Sequence, residues 1–577
     1  VIKRKKLFVV FTSFLILSLL ILGTLAWISA GYKRYIKSNL PAWVLKGTDS
    51  IYHASVEDIS INIFTRRLTI TGIKLQADTN CIQYHRETGK SNKVTVDLYV
   101  PKLQLNGIVW GKLLTNKEFS CNRAIIWQPK VIIISKYHEV DSSRIWQGKK
   151  ESAEIKRLFA TSIQIIQPDI TFKSFNKDRD SFICRLNGGE GILNNWLLDD
   201  KDNDTTRFLL ARSCIIDSSA FLFQKPSMLY AFKTRSFYFN TAKEVLSLQN
   251  ISVAPTVSRT EYYRMVRHRT TICNASVSTM QFVDFKWQQL IHNNKLRCAA
   301  IHLTNPSVAL YFSYLLPSRP ANVVKYDPPI IIRAMPLKLD ISDIIIHDGH
   351  VTYTELNEVS MQEGKLDLSK INCSVNNVTN IDTIIGRNNK LVAKANGKVY
   401  NTSDMSAVFT IVLSDTSGAF NIHANIKNVY ASQINQVTRP LSLLQIDSLQ
   451  LHTVNVAVDG NKNYTHSQVS MLYNNLKIKV EKPAAEDKLK SRPVISFLAN
   501  TFFVYSDNPM PNGQLRTADT YLPRDVTTAF MPMIVKNVRQ GMNKIMVRHE
   551  KLVAEITNDK TAKKEKHKRK GLFGWRK

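Results

Sequence analysis

The sequence has no Walker A loop, no GxSxG nucleophile elbow, no HExxH pair and no GxGxxG fingerprint. The commonest nucleotide, hydrolase, zinc-peptidase and dinucleotide sites therefore have no foothold in it. Its seven cysteines, Cys81, Cys121, Cys184, Cys214, Cys273, Cys298 and Cys373, are scattered, and no two have CxxC or zinc-knuckle spacing. They read as small buried apolar side chains and not as a metal site or a disulfide framework. Acidic residues are scarce, 46 against 78 Lys and Arg, which leaves a formal net charge of +32. The surface must face anions, whether nucleic acid, anionic lipid or lipopolysaccharide. Only one apolar stretch reaches about 20 residues, so a polytopic membrane protein is excluded.

The few features that might carry chemistry have plainer readings. Gly188-Gly189-Glu190-Gly191 reads as a turn, His268 as part of a solvated basic face, and Asp340, Asp343 and Asp348 as polar residues at strand ends. An aspartate alone makes no acid/base pair. No catalytic residue, cofactor or metal ligand is assigned, and the chain does not read as an enzyme. Tyr262 and Tyr263 beside Arg264, Arg267 and Arg269 offer stacking and phosphate contacts, but no nucleic-acid-binding module accompanies them.

What is present begins with a membrane segment. Leu7 to Ala30 carries no charge and follows Lys3-Arg4-Lys5-Lys6. At about 1.5 Å per residue it makes a helix of about 36 Å, enough to cross a hydrocarbon core of roughly 30 Å. Trp27, Tyr32 and Tyr35 fall where an aromatic belt would lie. An uncleaved anchor with a cytoplasmic N-terminus is expected, because a signal peptide has a shorter apolar region.

Beyond the anchor the chain adopts a period of two. Ile59, Ile61 and Ile63 alternate with polar residues, Arg66-Arg67 marks a turn, and Leu68 and Ile70 resume; at Gly72 the phase slips by one, as a β-bulge allows. Val94 to Val100 reads as a strand stopped by Pro101. Alternation returns at Leu366 and Leu368, at Ile422 and Ile426, at Val454, Val456 and Val458, and at Ile478 and Val480. One apolar and one polar face per run is the mark of antiparallel sheet. A loose unit of strand, turn dipeptide and strand recurs around Gln128-Pro129, Gln167-Pro168, Asn305-Pro306 and Asp348-Gly349, and predicts hairpins. Near the C-terminus, Val526, Phe530, Ile534, Val538, Met542 and Ile545 share a helical face opposite Lys536, Arg539, Lys544 and Arg548. Asp525 is its expected N-cap and Pro532 its expected kink. Such a helix suits either an anionic membrane surface or the end of a sheet.

The anchor, the Ile59 to Ile70 segment and Ile346-His347-Asp348-Gly349-His350-Val351-Thr352-Tyr353 together resemble the AsmA-like family of Gram-negative envelope proteins, within the repeating β-groove group that includes the TamB relatives. The likeness extends through Lys365 to Leu368, Leu472 to Val480, Ser506-Asp507-Asn508-Pro509 and Gly513 to Thr517, and is most specific over about residues 335 to 550. It implies a mainly β protein: an N-terminal transmembrane helix, an elongated, twisted antiparallel sheet forming an apolar groove, and a C-terminal amphipathic helix.

The expected organisation is a basic cytoplasmic end (1–6), an anchor (7–30), a linker with a short amphipathic segment (31–50), an N-terminal β-groove region (51–334), an AsmA-like C-terminal β region (335–522), the helix (523–552) and a basic tail (553–577). The implied place is the inner membrane, single-pass, with the bulk periplasmic. The implied work is phospholipid transport between membranes and outer-membrane biogenesis.

A one-sided apolar sheet must cover that side with a second sheet, with itself or with a ligand, and acyl chains fit because they need no directional hydrogen bonds. Ile59, Ile61, Leu68, Ile70, Leu366, Leu368, Ile422, Ile426, Val454, Val456, Ile478 and Val480 are the expected groove lining. An ordinary sandwich core built from the same residues is the competing expectation. Lys563, Lys564, Lys568, Arg569, Lys570 and Trp575 in the tail are expected to touch an anionic membrane. The expected partners are phospholipid or other acyl lipids, the inner membrane, the outer-membrane surface and envelope proteins, with no nucleic acid. The rival function is a scaffold or chaperone for outer-membrane protein assembly that carries no lipid.

Overall fold

A computed structural model describes residues 51–78, 94–112, 118–135, 157–174, 182–199, 206–225, 229–317, 327–483, 489–493, 504–525 and 530–548, with scattered positions between these and between 34 and 45. The expected anchor (7–30) and basic tail (553–577), with Lys563, Lys564, Lys568, Arg569, Lys570 and Trp575, lie outside the described residues. Among the described residues no helix is long and apolar enough to cross a membrane. The chain divides into two compact units, Val1–Ser252 and Val253–Lys577.

The first unit is strand after strand: β1 (Tyr52–Ser55), β2 (Asp58–Asn62), β3 (Arg67–Ala77), β4 (Val94–Asn106), β5 (Glu118–Trp127), β6 (Lys130–Ser135), β7 (Arg157–Ile166) and β8 (Asp169–Ser174). It continues with β9 (Phe182–Asn187), β10 (Glu190–Asp199), β11 (Ser213–Ser218), β12 (Ala220–Lys225), β13 (Tyr230–Thr234), β14 (Ser236–Asn240) and β15 (Val245–Pro255). The hairpin expected at Arg66-Arg67 forms: Ile59 faces Ile70 and Ile61 faces Leu68 across β2 and β3. Gly72 is left-handed at φ +61, where β3 changes partner from β2 to β1.

The turn dipeptides are a different matter. β5 and β6 do not fold back on each other; both lie against β4, which runs through Pro101 to face β5 with one half and β6 with the other. β7 and β8 repeat this and run parallel to β5 and β6. The expected hairpins are therefore kinks in long strands, and the sheet is mixed, not purely antiparallel. Gln128 (φ 47) and Gln167 (φ 49) take the left-handed conformation, and hydrogen bonds pass from kink to kink. Gln128 N donates to Ile166 O at 2.7 Å, Asp169 N to Pro129 O at 2.8 Å, Gln167 N to Gly189 O at 2.7 Å and Gly188 N to Pro168 O at 2.8 Å. At the next line Gly189 (φ +79) is obligatory, since a Cβ there would lie 1.9 Å from the Asp217 carbonyl oxygen. The kinks align into a crease across the sheet.

The second unit carries β16 (Ile272–Val283), β17 (Lys295–Thr304), β18 (Ser307–Ser313), β19 (Lys338–Leu356), β20 (Glu363–Thr379), β21 (Lys390–Val399) and β22 (Ser403–Val412). β23 (Phe420–Tyr430), β24 (Leu444–Gly460), β25 (Tyr464–Pro483), β26 (Leu489–Ser491) and β27 (Thr517–Pro523) follow. Its helices are α1 (Arg259–Val266), α2 (Trp287–Asn293), α3 (Pro328–Ala334), α4 (Asp382–Ile385), α5 (Ala431–Ser442) and α6 (Phe530–Met546). β17 and β18, kinked at Asn305 (φ 48), run parallel to β19, whose Asp348 (φ 51) and Gly349 form a bulge inside one strand and not a hairpin turn. From β19 the order is antiparallel through β20, β21, β22, β23, β24 and β25 to β27.

α6 begins at Phe530 and not at Asp525, which instead accepts from the Thr528 hydroxyl at 2.7 Å. Pro532 consequently falls in the first turn, where a missing N–H leaves no bond unmade. Phe530, Met533, Ile534, Asn537, Gly541 and Ile545 are buried while Lys536, Arg539 and Lys544 point outward. The buried face lies on β25 and β27: a Cβ on Gly541 would meet Val469 at 2.8 Å, and the buried Asn537 accepts from Ser467 Oγ at 3.0 Å and donates to Thr465 O at 2.9 Å. Of its two expected roles, this helix performs the closing of a sheet.

Candidate functional site

Following the pairing from strand to strand brings mostly apolar residues into rows. In the first unit Ile70, Leu103, Ile126, Ile165, Gly191, Ile216 and Phe239 are successive cross-strand partners. A second row, across the crease, joins Leu75, Leu98, Val131, Ile170, Leu186, Phe221 and Thr234. On every line the two members are five positions apart, as in Ile126 and Val131 or Ile216 and Phe221. Positions five apart on a regular strand face opposite sides, and the extra residue taken up at the kink returns them to the same side. The crease thus bends the sheet while keeping both tiers on one apolar face. The other face is mixed: Gln104, Ile125, Gln164 and Ile192 form one of its rows, and Lys102 sits 4.6 Å over the Trp127 ring.

The same step of five recurs in the second unit, between Met280 and Ala275, Leu303 and Val308, Ile346 and Val351, and Cys373 and Leu368. At β21 it reverts to the regular four, Ala395 to Val399. The apolar face there is covered by helices. Phe530, Met533 and Ile534 of α6 pack with Phe420 and Val458, while Ile545 joins Val454, Val469, Met471 and Tyr473.

All twelve expected lining residues lie in rows of this apolar side, but their surroundings differ. Ile59 (1% exposed) is buried, and Ile61, Leu68 and Ile70 are half-buried on the first tier of the first unit. Leu366, 37% exposed, and Leu368 lie on the second tier of the second unit. Val454 is core, with Ile426, Val456 and Ile478 packed against it beneath α5 and α6; Ile422 packs on the Phe420 cluster and Val480 pairs with Leu444. The C-terminal members therefore belong to a closed core, and the open portion lies earlier in the chain.

The larger part of the track consists of residues that were not singled out from the sequence: Leu103, Ile126, Ile165, Ile170, Ile216, Phe221 and Phe223. The signal that marks them is the constant five-residue step across each turn dipeptide. Its second tier is aromatic. Phe172 and Phe182 have ring centres 5.5 Å apart, Phe182 and Phe223 5.6 Å, and Phe221 and Phe232 6.0 Å. Phe223 remains 38% exposed.

No protein-family model matches this sequence, and no curated protein does. What the face can do follows from its side chains alone. It offers dispersion contacts from half-buried aliphatic and aromatic side chains. Burial disfavours the thiolate at the described cysteines: it pushes Cys214 up to about 12 and Cys121 and Cys298 up to about 11, and raises Cys184, Cys273 and Cys373 as well. Among the described residues no group of three His, Cys, Asp or Glu could hold a metal ion.

Proposed function

We propose that this chain is a membrane-anchored, AsmA-like lipid-handling protein of a Gram-negative envelope, which lays acyl chains along the creased apolar face for movement between membranes. The observation that carries the reading is the pair of apolar tiers in the first unit, seven cross-strand partners long with one interruption by glycine and one by threonine. An acyl chain gains about 0.8 kcal/mol for each CH₂ taken out of water and asks for no directional partner, so a continuous row holds it without fixing its position. Headgroups stay in water at the strand ends. The work is passive, and the direction comes from elsewhere.

Adjacent residues on one strand face opposite sides, which gives the test its control. Photo-cross-linkers at Ile165 and Gln164, and at Leu103 and Gln104, are introduced into the full chain in cells. Lipid adducts at Ile165 and Leu103 but not at their neighbours are expected. Adducts to protein alone at the inward positions would replace this reading with that of a scaffold for outer-membrane assembly.

A further inference from the structure

The second unit has another cavity, a cleft of about 990 Å³, on the face opposite the apolar rows. α6 lies against Val469 on the apolar side yet supplies none of the cleft's lining. A smaller neighbouring hollow of about 400 Å³ shares Asn396, Ser406 and Asn425 with it. Two rows of side chains form the walls. One is Asn372, Asn396, Ser406, Asn425, Asn455 and Ser470, cross-strand partners from β20 to β25. The other is Ser374, Lys394, Val408, His423, Ala457 and Gln468 on the same strands. Between them the floor is main chain at Ala395, Ala407 and Ala424.

The chemistry of these walls is specific in what it refuses. Lys394 is the one Lys or Arg in the lining, beside His347, His423 and Asp519, and the lysines Lys370, Lys398 and Lys427 belong to the smaller hollow, so the cleft itself lacks the several cations that a nucleic acid needs for its phosphates. It runs across the strands, ending at β27, and not lengthwise along an edge, so an extended peptide lying in it finds no free ladder. The amides bond in part to one another, Asn425 Nδ2 to Asn455 Oδ1 at 2.6 Å and Asn455 Nδ2 to Ser470 Oγ at 3.5 Å, and an apolar ligand would cover the donor and acceptor positions they keep beyond those bonds. Each asparagine offers two donors and an acceptor, and each serine does both. The row repeats at the strand spacing of about 4.8 Å, and the cleft crosses eight strands, a run of about 34 Å. Ile345 and Val408, 36% exposed, are two separate apolar points in the second wall, three strands apart with Ser374 and Lys394 between them.

We propose that this cleft binds a neutral linear glycan lying across the strands, with sugar hydroxyls exchanging hydrogen bonds with the amide row and the C–H faces of the rings resting on Val408 and Ile345. The proposal is independent of the lipid reading, since its residues are on the other side of the sheet.

The full chain in detergent micelles is titrated calorimetrically with chitohexaose, with cellohexaose and with a heparin hexasaccharide. Saturable binding of one or both neutral probes is expected. It should weaken at least fivefold in Asn396→Ala and in Gln468→Ala, which come from opposite walls and are exposed, so the thermal midpoint should not move. No saturable binding of either neutral probe would overturn the proposal. So would undiminished binding in both variants, or tighter binding of the heparin fragment.

Discussion

Arg524 and Asp327 form an ion pair nearly out of contact with water: their side chains are 2% and 3% exposed and Nη2 lies 2.7 Å from Oδ1. Removing one member leaves the other charge buried without this counter-charge, which costs about 3–5 kcal/mol, whereas replacing both with apolar groups is often neutral. Asp327→Ala should therefore lower the urea midpoint strongly, and Asp327→Leu with Arg524→Met should recover most of the loss. His466 is a second pivot. Asp459 and Asp519 flank its ring at 3.0 and 2.8 Å and, through those hydrogen bonds, hold its pKa above the ordinary value of about 6.5. A group whose pKa is raised on folding adds stability that is fully present below its unfolded pKa and disappears as the pH rises through its folded one. The protein should lose stability as the pH rises above about 6.5 relative to His466→Gln, whose profile should be flatter there. Parallel urea midpoints for the two proteins over that range would show that the ring does not bind its proton more tightly in the folded state.

At the scale of elements the decisive device is the kink. If the left-handed residue serves to return both tiers to one face, its presence matters more than its identity. Gln167→Gly should change stability by no more than about 1 kcal/mol, because glycine adopts a positive φ freely. Gln167→Val should cost about 1–3 kcal/mol, since a β-branched residue is strained there. Deleting Gln167 would turn Ile170 and Phe172 to the opposite face and should abolish cooperative unfolding, read by denaturant titration. A deletion that folds as well as the valine variant would show that the crease does not set the facing. The same device explains what the sequence disclosed. Alternation at Ile59 to Ile70 and the slip at Gly72 were legible because both are local. Gln128-Pro129 and Asp348-Gly349 were legible as breaks but not as kinks, because a hairpin turn and a strand kink both call for a positive φ beside proline or glycine. The choice between them is made by partners far away in the chain, such as β4 lying across both β5 and β6. The parallel pairs were hidden for the same reason, whereas the C-terminal helix was legible from its apolar face, and only the choice of Val454 and Met471 as what it closes over was not.

For the molecule as a whole, the charge of +32 is what the apolar face cannot account for. Residues 563–577 concentrate eight Lys or Arg against Glu565 beside Leu572, Phe573 and Trp575. A polybasic segment gains on the order of 1 kcal/mol per cation near an anionic bilayer, and that gain is screened beyond about 10 Å at 0.1 M salt. On the proposed reading, residues 7–30 hold the chain in one membrane and residues 563–577 draw it to a second, the two membranes between which acyl chains would move. The full chain reconstituted in neutral vesicles should therefore tether anionic vesicles, with tethering measured by fluorescence energy transfer between the two populations. Tethering should fall steeply from 0.1 to 0.5 M salt. It should drop at least tenfold when residues 563–577 are removed, since tenfold is only about 1.4 kcal/mol of the several that eight cations can supply. If tethering instead survives the truncation and still falls with salt, the cations of the folded units make the contact, and the second membrane is met along the sheets and not at the tail.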